Sequence, residues 1–446
     1  MVGSTSRSRT RRLPGGPRGI PPSVALSLTL LLGFLAPSQL RGQEEAYRAE
    51  VARLADEPRI REAFRIIEAL EPRTMEDHVA LTQVPAPPFQ EEERARAFAE
   101  LLREAGADSV RLDEVGNVLA FRAGTEGSRT VVLGGHLDTV FPEGTDVTVR
   151  RRGDTLFAPG IGDDTRGLMV VLTVLRALEE ADLETEADLI FLGSVGEEGL
   201  GDLRGMKHFF REGGPGVDAF IEVDGGGMAA IVNKGLGSIR YRVTFQGPGG
   251  HSWGAFGLVN PAHALGRAMD AFARAADDFT SSGPRTSFNV GRIGGGTSVN
   301  SIPFEAWMEV DMRSESPERL QEIADIFEAS VQTALEAENA FRRDGPPLEV
   351  ALDQIGNRPS GEVDPAEPLV QRAMAVTRFF GQEPRLTRSS TNSNIPIALG
   401  IPAVTIGRGG IGGENHSLNE WWINRDGHRG IQRALLLLLA QAGVEG

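Results

Sequence analysis

Hydrophobic and polar positions fall into two rhythms along the chain. From Glu44 to about Ala107 the spacing is helical, broken at the step Val84-Pro85-Ala86-Pro87-Pro88, where missing N–H donors and fixed φ angles stop a helix. Beyond it, nearly continuous apolar runs over Asn117–Arg122, Thr130–Gly134, Ala187–Gly193 and Ala219–Val223 alternate with helical runs over Gly167–Glu180 and Met206–Glu212. Strands without polar alternation belong to a sheet covered on both faces, so this part predicts an α/β layer with a largely parallel sheet.

The rhythm then changes. Ser238–Phe245 alternates as a half-buried strand, and Pro261–Phe279 is an alanine-rich amphipathic helix. Thr286–Ile293 and Phe304–Arg313 read as strands, Pro317–Phe341 as a helix and Leu348–Ile355 as a strand. That order, βαββαβ, is the split ferredoxin-like unit. Glu367–Phe380, Ala403–Ile406 and Gly430–Ala442 then resume helix, strand, helix. The chain therefore reads as one α/β domain in two parts, 43–237 and 357–446, with a second domain, 238–356, inserted between them.

Composition narrows the chemistry. The 446 residues carry 62 Asp+Glu against 46 Lys+Arg, a formal charge of −16, and no cysteine. The acid surplus argues against a binder of nucleic acid, which needs a basic face. Lack of cysteine excludes disulfides, thiolate zinc sites, iron–sulfur clusters and cysteine nucleophiles, so any metal must be held by nitrogen and oxygen. The N-terminus stands apart: Arg7, Arg9, Arg11, Arg12 and Arg18 precede the apolar run Val24–Ala36, with no acid before Glu44. That run has 13 residues, well short of the ~20 that span a bilayer. A basic segment followed by a short apolar one describes a signal peptide over 1–42, cleaved after Ser38 or Gly42, that leaves no stable membrane anchor. The expected location is periplasmic or extracellular. Removing 1–42 takes away six arginines and no acid, and makes the formal charge −22.

Five polar segments carry candidate chemistry. They are Gly135-His136-Leu137-Asp138, Gly160-Ile161-Gly162-Asp163-Asp164, Gly196-Glu197-Glu198-Gly199, Asp224-Gly225-Gly226-Gly227 and Gly412-Gly413-Glu414-Asn415-His416. Singly, a His or Asp at a strand end is usually a turn or cap residue. Five such segments flanked by glycine, most of them at strand ends, can instead converge on the crevice beyond the carboxyl ends of an open α/β sheet. So many carboxylates around two imidazoles repel one another unless divalent cations neutralise them, and two cations sharing a carboxylate suit that donor set.

These motifs, in this order and with the inserted unit, resemble the dinuclear-zinc exopeptidases and deacylases that include peptidase T, carboxypeptidase G and succinyl-diaminopimelate desuccinylase. The resemblance runs from about Glu71 onward and is nearest to peptidase T-like members. It implies that His136 and Asp224 hold one metal, that Glu198 and His416 hold the other, and that Asp163 bridges both while Asp164 does not ligate. The metals are two divalent ions, zinc first, with cobalt or manganese as alternatives. Asp138, two residues past His136, is placed to orient or polarise that imidazole. Glu197 is the implied general base on a metal-bridging water.

In the inserted lid, His251 of Gly249-Gly250-His251-Ser252 matches a histidine that stabilises the oxyanion from the partner subunit of a homodimer. Asn300 matches a substrate-binding residue, and Arg358 resembles an arginine that grips a substrate α-carboxylate. Ser389-Ser390-Thr391-Asn392-Ser393-Asn394 departs from the family's Gly-Gly-Thr-Asp-Ala, with Asn392 expected to remove a charge near the substrate pocket. His78, His208, His263 and His428 are assigned no role, the first three as helix residues without suitable carboxylate neighbours.

The expected activity is hydrolysis of a terminal peptide bond in short peptides, like a tripeptide aminopeptidase. Asp224 favours that type, since relatives acting on acyl-amino acids more often carry Glu there. An N-acyl-amino-acid deacylase or carboxypeptidase using the same site is the alternative. A third possibility, an inactive peptide-binding protein, predicts the loss of Glu197 or a ligand, and none is lost.

Overall fold

Four strands buried almost throughout form the middle of a nine-stranded sheet. In the computed structural model, which describes residues 37–445, Asp188–Ser194, Thr130–His136, Ala219–Val223 and Ala403–Ile406 lie side by side in that order, all parallel. The flanking pairings, with Val118–Arg122 on one side and Ala230–Gly235 on the other, are antiparallel. The parallel expectation thus describes the centre of the sheet, and its margins are mixed. The apolar run Val24–Ala36, and with it most of the leader reading, lies outside the described residues. Among those described, no helix is long and apolar enough to cross a membrane.

Helix Thr165–Glu180 is buried continuously from Thr165 to Leu178, as expected of a helix that is apolar on nearly every side. The sheet covers it on one side, and helices Pro58–Ala69, Glu71–Thr82 and Gly427–Ala442 cover it on others. This matters for the site, because the first residues of this helix follow directly on Asp163 and Asp164.

The inserted unit has its own sheet and its own apolar core. Its strands run Thr286–Gly295, Glu305–Ser314, Gly237–Gln246, Glu349–Arg358, all antiparallel, the order of a split βαββαβ unit. Helices Pro261–Thr280 and Pro317–Phe341 each begin with a cap followed by proline: Asn260 Oδ1 accepts the Ala262 N–H at 3.0 Å and Ser316 Oγ accepts that of Arg319 at 3.2 Å. Phe245, Phe272 and Phe327 fill this core, each contributing about 1.5–3 kcal/mol by burial. The first strand begins at Gly237 and the last ends at Arg358, so Arg358 belongs to the inserted sheet.

A small sheet of three-residue strands, Arg150–Arg152, Thr155–Phe157, Trp421–Ile423 and Ile411–Gly413, has no counterpart in the sequence reading. Runs this short show no period. This sheet anchors the loop that carries His416.

Candidate active site

The polar segments converge because the parallel strands end on one edge of the sheet. His136 closes strand Thr130–His136, Glu197 and Glu198 follow Asp188–Ser194, and Asp224 follows Ala219–Val223. Asp163 and Asp164 lead into helix Thr165–Glu180, and His416 comes from the loop after Ile411–Gly413. His136 Nε2 lies 3.2 Å from Asp163 Oδ1; His416 Nε2 lies 3.4 Å from Asp163 Oδ2 and 2.8 Å from Glu198 Oε1. Ligand atoms of His136, Asp163 and Asp224 fall within 4.8 Å of one another, as do those of Asp163, Glu198 and His416, and of His136, Glu197 and Glu198. Asp163 belongs to two of these groups. Nitrogen and oxygen donors at this spacing fit divalent cations.

The carboxylates dominate the electrostatics. His416 is raised to about 10 by its hydrogen bonds to Asp163 and Glu198. Burial works against protonation of His136, but Asp138, Asp163 and Asp164 hold its pKa well above the ordinary value. Burial also pushes Glu197 well above the usual carboxylate range, with Arg358 opposing it.

Asp138 lies beside His136 as an ion-pair neighbour and serves the following turn as an acceptor. Its side-chain Oδ1 is 3.7 Å from His136 Nδ1, too far for a hydrogen bond, whereas its main-chain oxygen is 3.0 Å from that nitrogen. The imidazole is therefore oriented by a main-chain carbonyl. The Asp138 carboxylate instead accepts the N–H groups of Glu197 at 2.9 Å and Glu198 at 2.7 Å, fixing the turn that presents both glutamates. Asp164 accepts the His136 N–H at 3.1 Å through Oδ2. Its carboxylate is wedged against Gly135 and Gly167, where a Cβ at Gly167 would collide with it.

Arg358 is brought to the site, but its buried guanidinium is engaged by the protein itself. Nη1 donates to Glu197 Oε1 at 3.3 Å and Ser390 Oγ at 3.1 Å, and Nη2 donates to the Glu197 main-chain oxygen. Asn392 follows Thr391 of the cavity wall without lining the cavity itself. It is buried away from the substrate cavity, donating to Ser194 Oγ at 2.8 Å and Glu222 Oε1 at 2.7 Å. Burial pushes Glu222 up to about 8, so an amide here meets an acid that is largely protonated at neutral pH.

His251 and Asn300 do not line this chain's cavity. Both are exposed on the inserted domain, joined by the short antiparallel pair Gly250–His251 and Ser301–Ile302 and by Ser252 N–H donating to Asn300 O at 2.9 Å. Of the unassigned histidines, His78 is buried, bonded to Ile161 O at 2.6 Å and lowered by burial to about 3. His208 Nε2 lies 3.8 Å from Asp113 and 3.9 Å from Glu114, beyond hydrogen-bond reach. His428 lies in the first turn of helix Gly427–Ala442 rather than before it.

Two further buried residues complete the site. Glu420 accepts the N–H groups of Gly160 at 2.7 Å, Gly162 at 3.0 Å and Asp163 at 2.9 Å, shaping the loop that presents Asp163. Arg408 places Nη1 3.5 Å from Asp224 Oδ1 and 3.7 Å from both Asp163 Oδ1 and Asp164 Oδ1. A lone arginine in Gly407-Arg408-Gly409-Gly410, after a buried strand, was the available signal for the second. Nothing local marks Glu420.

The site opens into a cavity of about 450 Å³ whose walls include Arg240 and Arg313 from the inserted domain. A carboxylate shared between two nitrogen-and-oxygen donor groups, at the carboxyl ends of parallel strands, defines a metal-dependent hydrolase. Residues 132–440 match the profile of Peptidase family M20/M25/M40, and the chain belongs to that family. A putative succinyl-diaminopimelate desuccinylase of Mycobacterium tuberculosis is 27% identical over 339 residues, 74% of this chain and 88% of the relative. The fold is shared with the aminopeptidase PepT from Bacillus cereus (TM-score 0.64, 20% identity, 83% of this chain and 98% of that one). It is also shared with the dipeptidase Dug1p from Saccharomyces cerevisiae (TM-score 0.65, 17% identity, 86% and 99%).

Proposed function

We propose that this protein is an exported, dinuclear metal-dependent exopeptidase that hydrolyses a terminal peptide bond of short peptides, as a tripeptide aminopeptidase does. The observation that carries this reading is Asp163, common to the His136–Asp224 group and the Glu198–His416 group. Two divalent ions held there, zinc before cobalt or manganese, supply Lewis-acid polarisation of the scissile carbonyl and a more acidic water. The Glu197 carboxylate takes a proton from the attacking water and delivers it to the leaving amine. His251, exposed and therefore open to a second copy, donates to the developing oxyanion in a homodimer, and Asn300 helps to hold the substrate. The leader-like sequence 1–42 supports export.

A second reading, an N-acyl-amino-acid deacylase or carboxypeptidase, is favoured by Arg240 and Arg313 in the cavity wall, which suit an anionic acyl group or a terminal carboxylate. The likeness to a desuccinylase supports it as well. One experiment separates the two. The protein, expressed with its own leader and loaded with zinc, is offered di- and tripeptides, C-terminally blocked peptides and N-acyl amino acids, with products identified by mass. Cleavage confined to N-acyl amino acids would defeat the aminopeptidase reading. Intact mass and light scattering of the same sample test the new N-terminus near Ser38 or Gly42 and the dimer.

Metal uptake has a pH signature. The carboxylates raise both imidazoles, His416 to about 10, so at pH 7.5 the metal-free protein carries protons that an entering cation must displace. Apparent affinity for zinc is expected to climb as pH rises from the ordinary histidine value of 6.5 toward about 10. Calorimetry in two buffers of different ionisation enthalpy should report protons released at pH 7.5, and none released would contradict the ligand roles of these histidines.

A further inference from the structure

Arg408 is 3% exposed, and its main chain is closely packed. Its N–H donates to Gly225 O at 3.3 Å, and its carbonyl oxygen lies 2.7 Å from where a Cβ on Gly430 would stand. Gly407, just before it, packs so closely on the Gly227 carbonyl that any side chain there would collide. A Cβ on Gly162 would stand 3.1 Å from Nη2. One buried guanidinium thus faces three carboxylates, Asp163, Asp164 and Asp224. Its ion pairs reach neither Glu198 nor His416 among the described contacts.

This arrangement is unsymmetrical. Oδ1 of Asp163, the oxygen nearer His136, and Oδ1 of Asp224 both face Arg408, whereas Oδ2 of Asp163 faces His416. A guanidinium stays charged at any pH the protein survives. It therefore competes with a cation for the same oxygens and repels it, an effect that decays with distance. We propose that Arg408 is a resident countercharge that separates the two cation positions in affinity. It weakens the position of His136, Asp163 and Asp224, and leaves that of Asp163, Glu198 and His416 tight. It also holds these three carboxyl groups together when no cation is bound.

The inference rests on the dinuclear reading, and a zinc titration of the metal-free full chain against a competing chelator tests the two separately. The wild-type protein should fill in two steps. Arg408→Gln should tighten the weaker step by about tenfold or more, the scale of a unit charge at this range, and leave the tighter step within about threefold. It should also lower the unfolding midpoint of the metal-free protein. Arg408→Lys, which keeps the charge, should preserve two steps. If the Gln protein folds only with zinc, release from the loaded form to the chelator reads the same affinities. A weaker step that is unchanged or loosened in Arg408→Gln, or a single step in Arg408→Lys, would overturn the inference alone. A wild-type protein that never takes a second ion would overturn the dinuclear reading as well.

Discussion

An Asp163→Asn protein is expected to lose its grip on both cations together and at least about 10³-fold in kcat/KM, while folding normally. Asp163 is the residue whose two oxygens face different imidazoles, Oδ1 toward His136 and Oδ2 toward His416. An amide offers one oxygen and no charge, so neither donor group stays complete. Lewis-acid stabilisation is worth several kcal/mol, and about 1.4 kcal/mol is a factor of ten in rate, which sets the expected loss. The fold should survive because the loop is held through the main chain, where the Asp163 N–H donates to Glu420 at 2.9 Å. Metal content by plasma mass spectrometry and turnover should be measured on the same sample. Two tightly held ions in the variant would show that Asp163 does not bridge.

The second large effect should come from Glu197→Gln, and it should be of a different kind. The variant is expected to keep two ions and a KM within a few-fold of wild type, while kcat falls by about 10²- to 10⁴-fold, the usual contribution of a positioned base. Gln keeps an oxygen for Arg358 Nη1, and the bonds from Arg358 to the main-chain carbonyl and from the N–H to Asp138 do not involve the side chain. The turn should therefore remain as it is. Full activity would move the base to another residue, and loss of metal would make Glu197 a ligand, as its closeness to His136 and Glu198 allows. Together the two variants separate binding of the cations from transfer of the proton.

Much of this was legible before any coordinate. The central strands announce themselves as short apolar runs without alternation because both their faces are covered. Gly135 and Gly167 mark a place where backbone and carboxylate crowd together, around Asp164. What only the folded chain adds is finer. Asp138 lies two residues from His136 and stays 3.7 Å from its imidazole, and its carboxylate also accepts the N–H groups at a strand end about sixty residues away. Asn392 read as a residue near the pocket; its neighbour Thr391 lines the cavity, while its own amide points down to Glu222.

By itself, then, the sequence determined the α/β layer with its inserted βαββαβ unit, and a donor set restricted to imidazole and carboxylate beyond strand ends. Those are local properties, written in hydrophobic period, residue chemistry and glycine placement. Only the tertiary structure decided the partners: Asp163 between two imidazoles, Arg358 on Glu197, Glu420 under the Asp163 loop, and Arg408 against three carboxylates. Each is a contact of a few ångströms between residues far apart in the chain. Such contacts are set by strand order and packing depth, which leave no periodic trace in the residues they join.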